Sequence, residues 1–307
     1  MKDALSDREI LKRITRIRLD NRSGSVELTK KAAVILQLFS RRFGHARFSE
    51  FSLQLQRVSR ALADAQPMMA GIFNLTNSVL KELEDNRGRQ DYQKTVQNVS
   101  REFVRKLDLS ADQIFHHALR HTRKGSVIVT HSYSSTVLHI LVRAHKEGRR
   151  FEVVCTESRP MFEGVALAKK LGEHGISTTL MADAAIFSAI PRASFVLLGA
   201  DAVTSDGVVN KIGTLGITVV ANSYAIPTYV LCGTEKFLPS AHRLEAEPSK
   251  RSDELQAPGL ANVRVRNVYF DVSPLERITK FISEAGERTP SQVRRTIKTL
   301  SIHPSLH

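Results

Sequence analysis

The chain has 307 residues, 45 Lys and Arg against 31 Asp and Glu, a formal net charge of +14, and only two cysteines. A single core stops growing at about 250–300 residues, so the length predicts two domains. A hydrophobic content of 42% excludes wholesale disorder, and two cysteines exclude a disulfide framework or a cysteine-rich zinc module.

The charge is concentrated early: residues 1–125 carry 24 basic and 14 acidic side chains, against 21 and 17 in the remainder. A basic first part suits an acidic protein partner or a solvated set of helix faces. With no Trp, five Tyr and no Lys/Arg runs, a nucleic-acid module is not supported. The N-terminus is charged and lacks the apolar core of a signal peptide, and no apolar run is long enough to span a bilayer. These features predict a soluble, cytoplasmic protein with no membrane partner.

In chain order, residues 7–19 set Ile10, Leu11, Ile14 and Ile17 on one stripe opposite basic residues, the 3.6-residue period of an amphipathic helix. Residues 26–43, 49–63 and 68–84 repeat the pattern. Ser110 with Gln113 resembles a capping box, which predicts a helix opening at 110 and running through His121. His117 and His121 have the spacing of a two-His metal pair but no third ligand, so no metal site is expected. Residues 1–122 are predicted to form a helical domain.

After Gly125 the texture changes. Residues 126–130, 151–155, 177–181, 195–199 and 228–232 are short apolar runs rich in β-branched residues, separated by helical stretches such as 136–146 and 164–172. That alternation predicts an α/β, Rossmann-like parallel sheet over residues 123–307. Cys155 falls inside a strand and reads as core. The polar segment 244–260, with two prolines, predicts a mobile surface loop.

The strand ends carry the chemistry. They deliver Thr130-His131-Ser132, then Glu157-Ser158-Arg159-Pro160, then Asp183, then Ala200-Asp201, followed by Asp206-Gly207-Val208-Val209-Asn210-Lys211-Ile212-Gly213-Thr214. Ligands of doubly wound sheets bind at the carboxyl ends of the strands. Ser134 and Asp183 read as caps or loop residues. Asp201 directly follows an apolar strand and is either a buried anchor or an acid/base group. The 206–214 loop lacks dinucleotide and P-loop fingerprints, but its amide, ammonium and glycine suit a phosphate or a polyhydroxylated ligand.

Taken together, the segments VIVTHSYSS (127–135), TESRPMFEG (156–164), LLGADAVTSDGVVNKIGT (197–214) and YFDVSPLERITKFISEAGERTPSQV (269–293) resemble one superfamily. It contains methylthioribose-1-phosphate isomerase, archaeal ribose-1,5-bisphosphate isomerase, and the alpha, beta and delta subunits of eukaryotic translation initiation factor 2B. The resemblance implies a phosphorylated sugar or nucleotide-like ligand held by Arg22, Ser23, Gly24, Ser25, Arg159, Asn210 and Lys211. It implies no cofactor, and partners that are a second copy, homologous subunits or initiation factor 2. The isomerases of this group use a Cys and an Asp as acid/base partners; Asp201 matches the Asp, and Ser132 stands at the Cys position.

Three positions depart from the isomerase pattern: Ser132, Gln66 where a second phosphate arginine is expected, and Glu163 where a glutamine is expected. A hydroxyl is a far weaker acid than a thiol of pKa about 8.5. On this ground the sequence is expected to be an alpha-type regulatory protein of initiation factor 2B, binding a sugar phosphate with its chemistry lost or weak. The alternative is an aldose–ketose isomerase of a phosphorylated ribose, with Asp201 and Ser132 as its catalytic pair.

Overall fold

In a computed structural model the described residues are 7–87, 91–245, 247–256 and 261–307. They divide into two compact units, one formed by residues 7–87, 91–109, 235–244 and 298–307 and the other by residues 110–234, 245, 247–256 and 261–297. The division therefore falls before the expected boundary at 122, and the helical unit takes in two late segments that sequence order assigns to the sheet domain.

The helical unit is built from α1 (Arg8–Leu19), α2 (Ser25–Phe43), α3 (Phe48–Ala63), α4 (Ala70–Asp85) and the first part of α5 (Tyr92–Ala118). Asp7 caps α1 by accepting from the Glu9 and Ile10 amides at 3.0 and 3.2 Å, and Ile10, Ile14 and Ile17 bury the inward stripe. Leu28, Leu36, Phe39, Phe51, Leu55 and Leu62 complete the core, with Phe51 4.7 Å from Tyr92 ring to ring. Two asparagines on α4 fasten the late segments. Asn74 donates to the Glu235 and Phe237 carbonyls at 2.7 and 2.9 Å. Asn77 donates to the Ser301 carbonyl and accepts from the His303 amide.

The predicted helix start at Ser110 is not observed. α5 runs unbroken for 27 residues and ends in a 3-10 turn, Leu119–His121. Residues 106–109 ahead of the serine are already helical, so no free amides remain for it to cap.

The second unit follows with β1 (Val127–Thr130), α6 (Ser135–Lys146), β2 (Glu152–Thr156), α7 (Glu163–Glu173), β3 (Ser177–Met181), α8 (Ile186–Ala189), β4 (Phe195–Leu198), β5 (Ala202–Val203), β6 (Val208–Lys211), α9 (Thr214–Ser223), β7 (Thr228–Leu231), β8 (Phe270–Ser273), β9 (Lys280–Ser283), β10 (Gly286–Arg288) and α10 (Pro290–Thr299). The main sheet has the order β10-β9-β7-β4-β1-β2-β3, parallel except for β10 against β9. It is the α/β, Rossmann-like sheet the sequence predicts, preceded by helices. Ile128, Val153, Cys155 and Leu197 meet Ile140, Leu141, Leu167 and Leu171 in its core. A second, antiparallel sheet of β5, β6 and β8 stands beside the strand ends. Gly207 makes it possible: a Cβ there would lie 2.2 Å from the Ser273 carbonyl oxygen.

Candidate functional site

The strand order reverses between β1 and β4, the position where open α/β sheets form their ligand crevice. Ser132 leaves β1 and Asp201 leaves β4, so both predicted catalytic residues emerge at this switch point. The two loops touch: a Cβ on Gly199 would lie 2.6 Å from the Ser134 side chain. Ser134 itself caps α6, accepting from the Val137 amide.

Ser132 is held in the left-handed region, at φ 64°, a conformation non-glycine residues rarely adopt. Its amide donates to Ser158 Oγ at 2.8 Å. Ser158 Oγ lies 2.8 Å from Thr156 Oγ1, which lies 2.6 Å from His131 Nδ1. The far ring nitrogen, Nε2, lies 2.9 Å from the Ile212 carbonyl oxygen. A carbonyl only accepts, so Nε2 carries the proton and the direction of every bond in the chain follows. Burial pushes the His131 pKa below its ordinary value, which keeps the ring neutral. With both nitrogens committed, His131 is not a base for Ser132.

Asp183 orders the next loop by accepting from the Ser158 and Arg159 amides at 2.7 and 2.8 Å. The Arg159 guanidinium stands 5.1 Å from the Phe162 ring centroid. Lys211 is buried, and its Nζ lies 2.5 Å from Glu163 Oε1. Asn210 donates to Thr214 Oγ1 at 3.0 Å in the first turn of α9. Asp271, paired with Asn210 across the small sheet, accepts from the Gly213 and Leu215 amides at 2.8 and 3.1 Å. Burial nevertheless raises its carboxyl to about 6. Cys155 is core, as predicted, and burial pushes its thiol up to about 12.

In the helical unit, Arg22, Ser23, Gly24 and Ser25 form the turn into α2. Asp20 Oδ1 accepts from the Arg22 and Ser23 amides at 3.1 and 2.8 Å, so two amides expected to meet a phosphate already hold a carboxylate. Although burial opposes it, the Lys31 ammonium and the turn amides hold the Asp20 carboxyl down at about 2. Gln66 donates to the Ile17 and Asp20 carbonyls at 2.8 and 3.1 Å, closing the end of α1 where an arginine charge is expected. The residue sequence reasoning missed is Lys236, buried with its Nζ on Ser25 Oγ. It belongs to no motif, and only folding brings it to the start of α2.

One further expectation is corrected. Segment 244–260 is docked where it is described: Glu247 accepts from the Tyr269 and Phe270 amides at 2.7 and 3.1 Å, and Tyr269 Oη donates to Glu254 at 2.7 Å. His121 meets Glu287 at 2.6 Å, and among the described residues no group of His, Cys, Asp or Glu is placed to hold a metal ion. Among them, too, no helix is long and apolar enough to cross a membrane.

The model of the initiation factor 2 subunit family matches residues 21–290, which span both units and every loop above. The chain belongs to that family. Ribose 1,5-bisphosphate isomerase of Archaeoglobus fulgidus is 30% identical over 92% of this chain and 90% of its own. A putative translation initiation factor eIF-2B subunit 2-like protein of Pyrococcus horikoshii is 32% identical over 91% of this chain and 94% of its own. The crystal structure of the translation initiation factor eIF-2B of Pyrococcus horikoshii OT3 superposes with a TM-score of 0.80 at 29% identity, covering 93% and 98% of the two chains.

Within the initiation factor 2 subunit family, these relatives correct the expectation of an alpha-type regulatory protein with lost chemistry. Several archaeal family members that match along most of this chain are named for an isomerase activity. The expectation gave too much weight to Ser132, Gln66 and Glu163 as losses. Gln66 bonds the end of α1 in the helical unit, and Glu163 pairs with Lys211 in the sheet unit.

Proposed function

We propose that this chain is a cytoplasmic aldose–ketose isomerase acting on a phosphorylated ribose, with no cofactor. The observation that carries the reading is the emergence of Ser132 and Asp201 from the two strands that flank the switch point, on loops in contact. In a ribose phosphorylated at C1, the bond from C1 to the ring oxygen breaks as that oxygen takes a proton. The C2 proton then moves to C1 through the enol phosphate, and the C2 hydroxyl gives up its proton as the ketone forms. The site therefore needs one group that takes and returns the C2 proton and another that steadies the oxygens. Asp201 takes the proton from C2 and delivers it to C1. The Ser132 hydroxyl, too weak an acid to ionise near neutrality, hydrogen-bonds the sugar oxygens instead. Arg159, Asn210 and Lys211 bind the sugar or its phosphate from the crevice, and Arg22, Ser23, Gly24 and Ser25 form a candidate anion-binding turn on the helical unit.

The test is an NMR assay of the purified protein with ribose 1,5-bisphosphate and with methylthioribose 1-phosphate. Turnover of either sugar that falls by a factor of about 10² or more in Asp201→Asn is the expected result. Absence of turnover with both of these, and with ribose 1-phosphate and ribose 5-phosphate, would overturn it.

The protein is proposed to work as a homodimer. Phe187, Leu215 and Val219 are 40, 37 and 40% exposed. They adjoin one another, since a Cβ on Gly216 would lie 3.2 Å from the Phe187 ring. An apolar face of this kind supports burial against a second copy.

A further inference from the structure

Within the sheet-domain crevice, Lys211 is the better buried of the two cations, its side chain only 6% exposed. The faces of Tyr269 and Phe270 lie 4.8 and 5.8 Å from its Nζ and hold it in place. Yet Glu163 Oε1, at 2.5 Å, cancels its charge. The carboxylate is fixed as firmly as the lysine. A Cβ on Gly164 would lie 1.7 Å from the Thr156 carbonyl oxygen, so the start of α7 is pressed against the end of β2 and Glu163 cannot swing away with its helix.

The second oxygen decides what this pair can meet. Glu163 Oε2 is buried and has no hydrogen-bond partner, and the same holds for Asp271 Oδ1, opposite Asn210 on the neighbouring strand. Buried acceptors are costly to leave unsatisfied. Each is completed by a hydroxyl or another neutral donor and is repelled by a phosphate, which brings only acceptors and about two negative charges. The crevice as a whole points the same way, since the cations Arg159 and Lys211 are matched by the carboxylates Glu163 and Asp201. Such a balance suits the hydroxylated part of a sugar and leaves no uncompensated cation in the sheet unit for a second phosphate.

We infer that Glu163 is a specificity-determining residue that accepts a hydrogen bond from a sugar hydroxyl, so the ligand is a pentose carrying one phosphate rather than two. The inference rests on the isomerase reading for its substrate class, but its test separates the two. Binding of ribose 1-phosphate, ribose 5-phosphate and ribose 1,5-bisphosphate is measured by calorimetry on protein that keeps Asp201, with and without Glu163→Gln, and turnover of the same sugars is followed by NMR.

One of the two monophosphates is expected to bind at least tenfold more tightly than the bisphosphate. Glu163→Gln should reduce that preference tenfold or more, while Glu163→Asp, which keeps the charge, should retain it. Turnover with the bisphosphate preferred, and a preference unchanged in Glu163→Gln, overturns the inference and leaves the isomerase reading standing. Glu163-dependent preference without turnover of any sugar upholds the inference and sinks the reaction. Failure of all three sugars to bind overturns both. Should Glu163→Gln fail to fold, judged by its melting transition, the Glu163→Asp comparison and the wild-type order of affinities still decide.

Discussion

The backbone amide of Ser132 donates to the side chain of Ser158 at 2.8 Å, so a residue at the end of β2 fixes the backbone of the residue that leaves β1. Ser158 has its own hydroxyl turned toward Thr156, and Thr156 in turn meets His131. Ser158→Ala removes the acceptor and leaves a partly buried amide unpaired. The expected cost is about 1–3 kcal/mol of stability, read by urea denaturation. Turnover should fall because Ser132 loses its orientation, and Ser158→Thr, which keeps a hydroxyl, should recover part of both.

Ser132→Cys places a thiol of ordinary pKa about 8.5 where the wild-type hydroxyl cannot ionise. Isomerase turnover should rise by tenfold or more, with a pH–rate profile that gains an ionisation in the thiol range. A profile and rate identical to wild type would remove Ser132 from the reacting atoms.

Gln66 holds the carbonyls of Ile17 and Asp20 together with one side-chain amide. Gln66→Ala should cost about 1–2 kcal/mol, at roughly 1 kcal/mol for each hydrogen bond, detected as a lowered denaturation midpoint. A charge-neutral change of this kind should leave any sugar-phosphate KM nearly unaltered, whereas loss of a phosphate ligand would raise it.

The Asp20 carboxyl, held down at about 2 by Lys31 and the turn amides, ties the helical unit to pH. As pH falls below about 4 the unfolded chain takes up this proton before the folded one does. Stability present above that value is therefore lost as pH drops toward 2, by on the order of 2 kcal/mol. Thermal melts from pH 5 to 2 should show the loss, and Asp20→Asn should flatten it.

Val219→Arg puts a charge on the exposed apolar face of α9 beside Leu215. Sedimentation should show a shift from dimer to monomer at micromolar concentration, with far-UV circular dichroism unchanged. A wild-type protein that sediments as a monomer would count against the dimer directly.

Much of this architecture was legible from spacing alone. The isoleucine stripe of α1 and the five apolar runs of the parallel sheet follow from periods of 3.6 residues and from continuous β-branched stretches. What was hidden has a physical reason in each case. The capping signal at Ser110 is local, whereas α5 is already helical when it reaches that residue. β5 has two residues, too few to display a period, and β6 ends in Asn210 and Lys211, which read as part of a polar loop. Lys236 depends on Ser25, 211 positions away, and no short-range pattern encodes such a meeting. The crevice loops could be read, but the partner of Glu163 among them, and those of Gln66 in the helical unit, could not. Replacements that look like lost charge in one dimension are bonded side chains in three.

The attachment of residues 298–307 to the helical unit sets a schedule for synthesis. His303 closes onto Asn77 across 226 positions of chain, so a ribosome must make the whole sheet domain before α4 receives its last partners. Until then the helices emerge first and are finished last. Their exposed apolar surface has to be tolerated or shielded for the time needed to translate some two hundred residues, about 10–40 s at 5–20 residues per second. A tag or truncation within 298–307 would therefore act on helices translated some two hundred residues earlier.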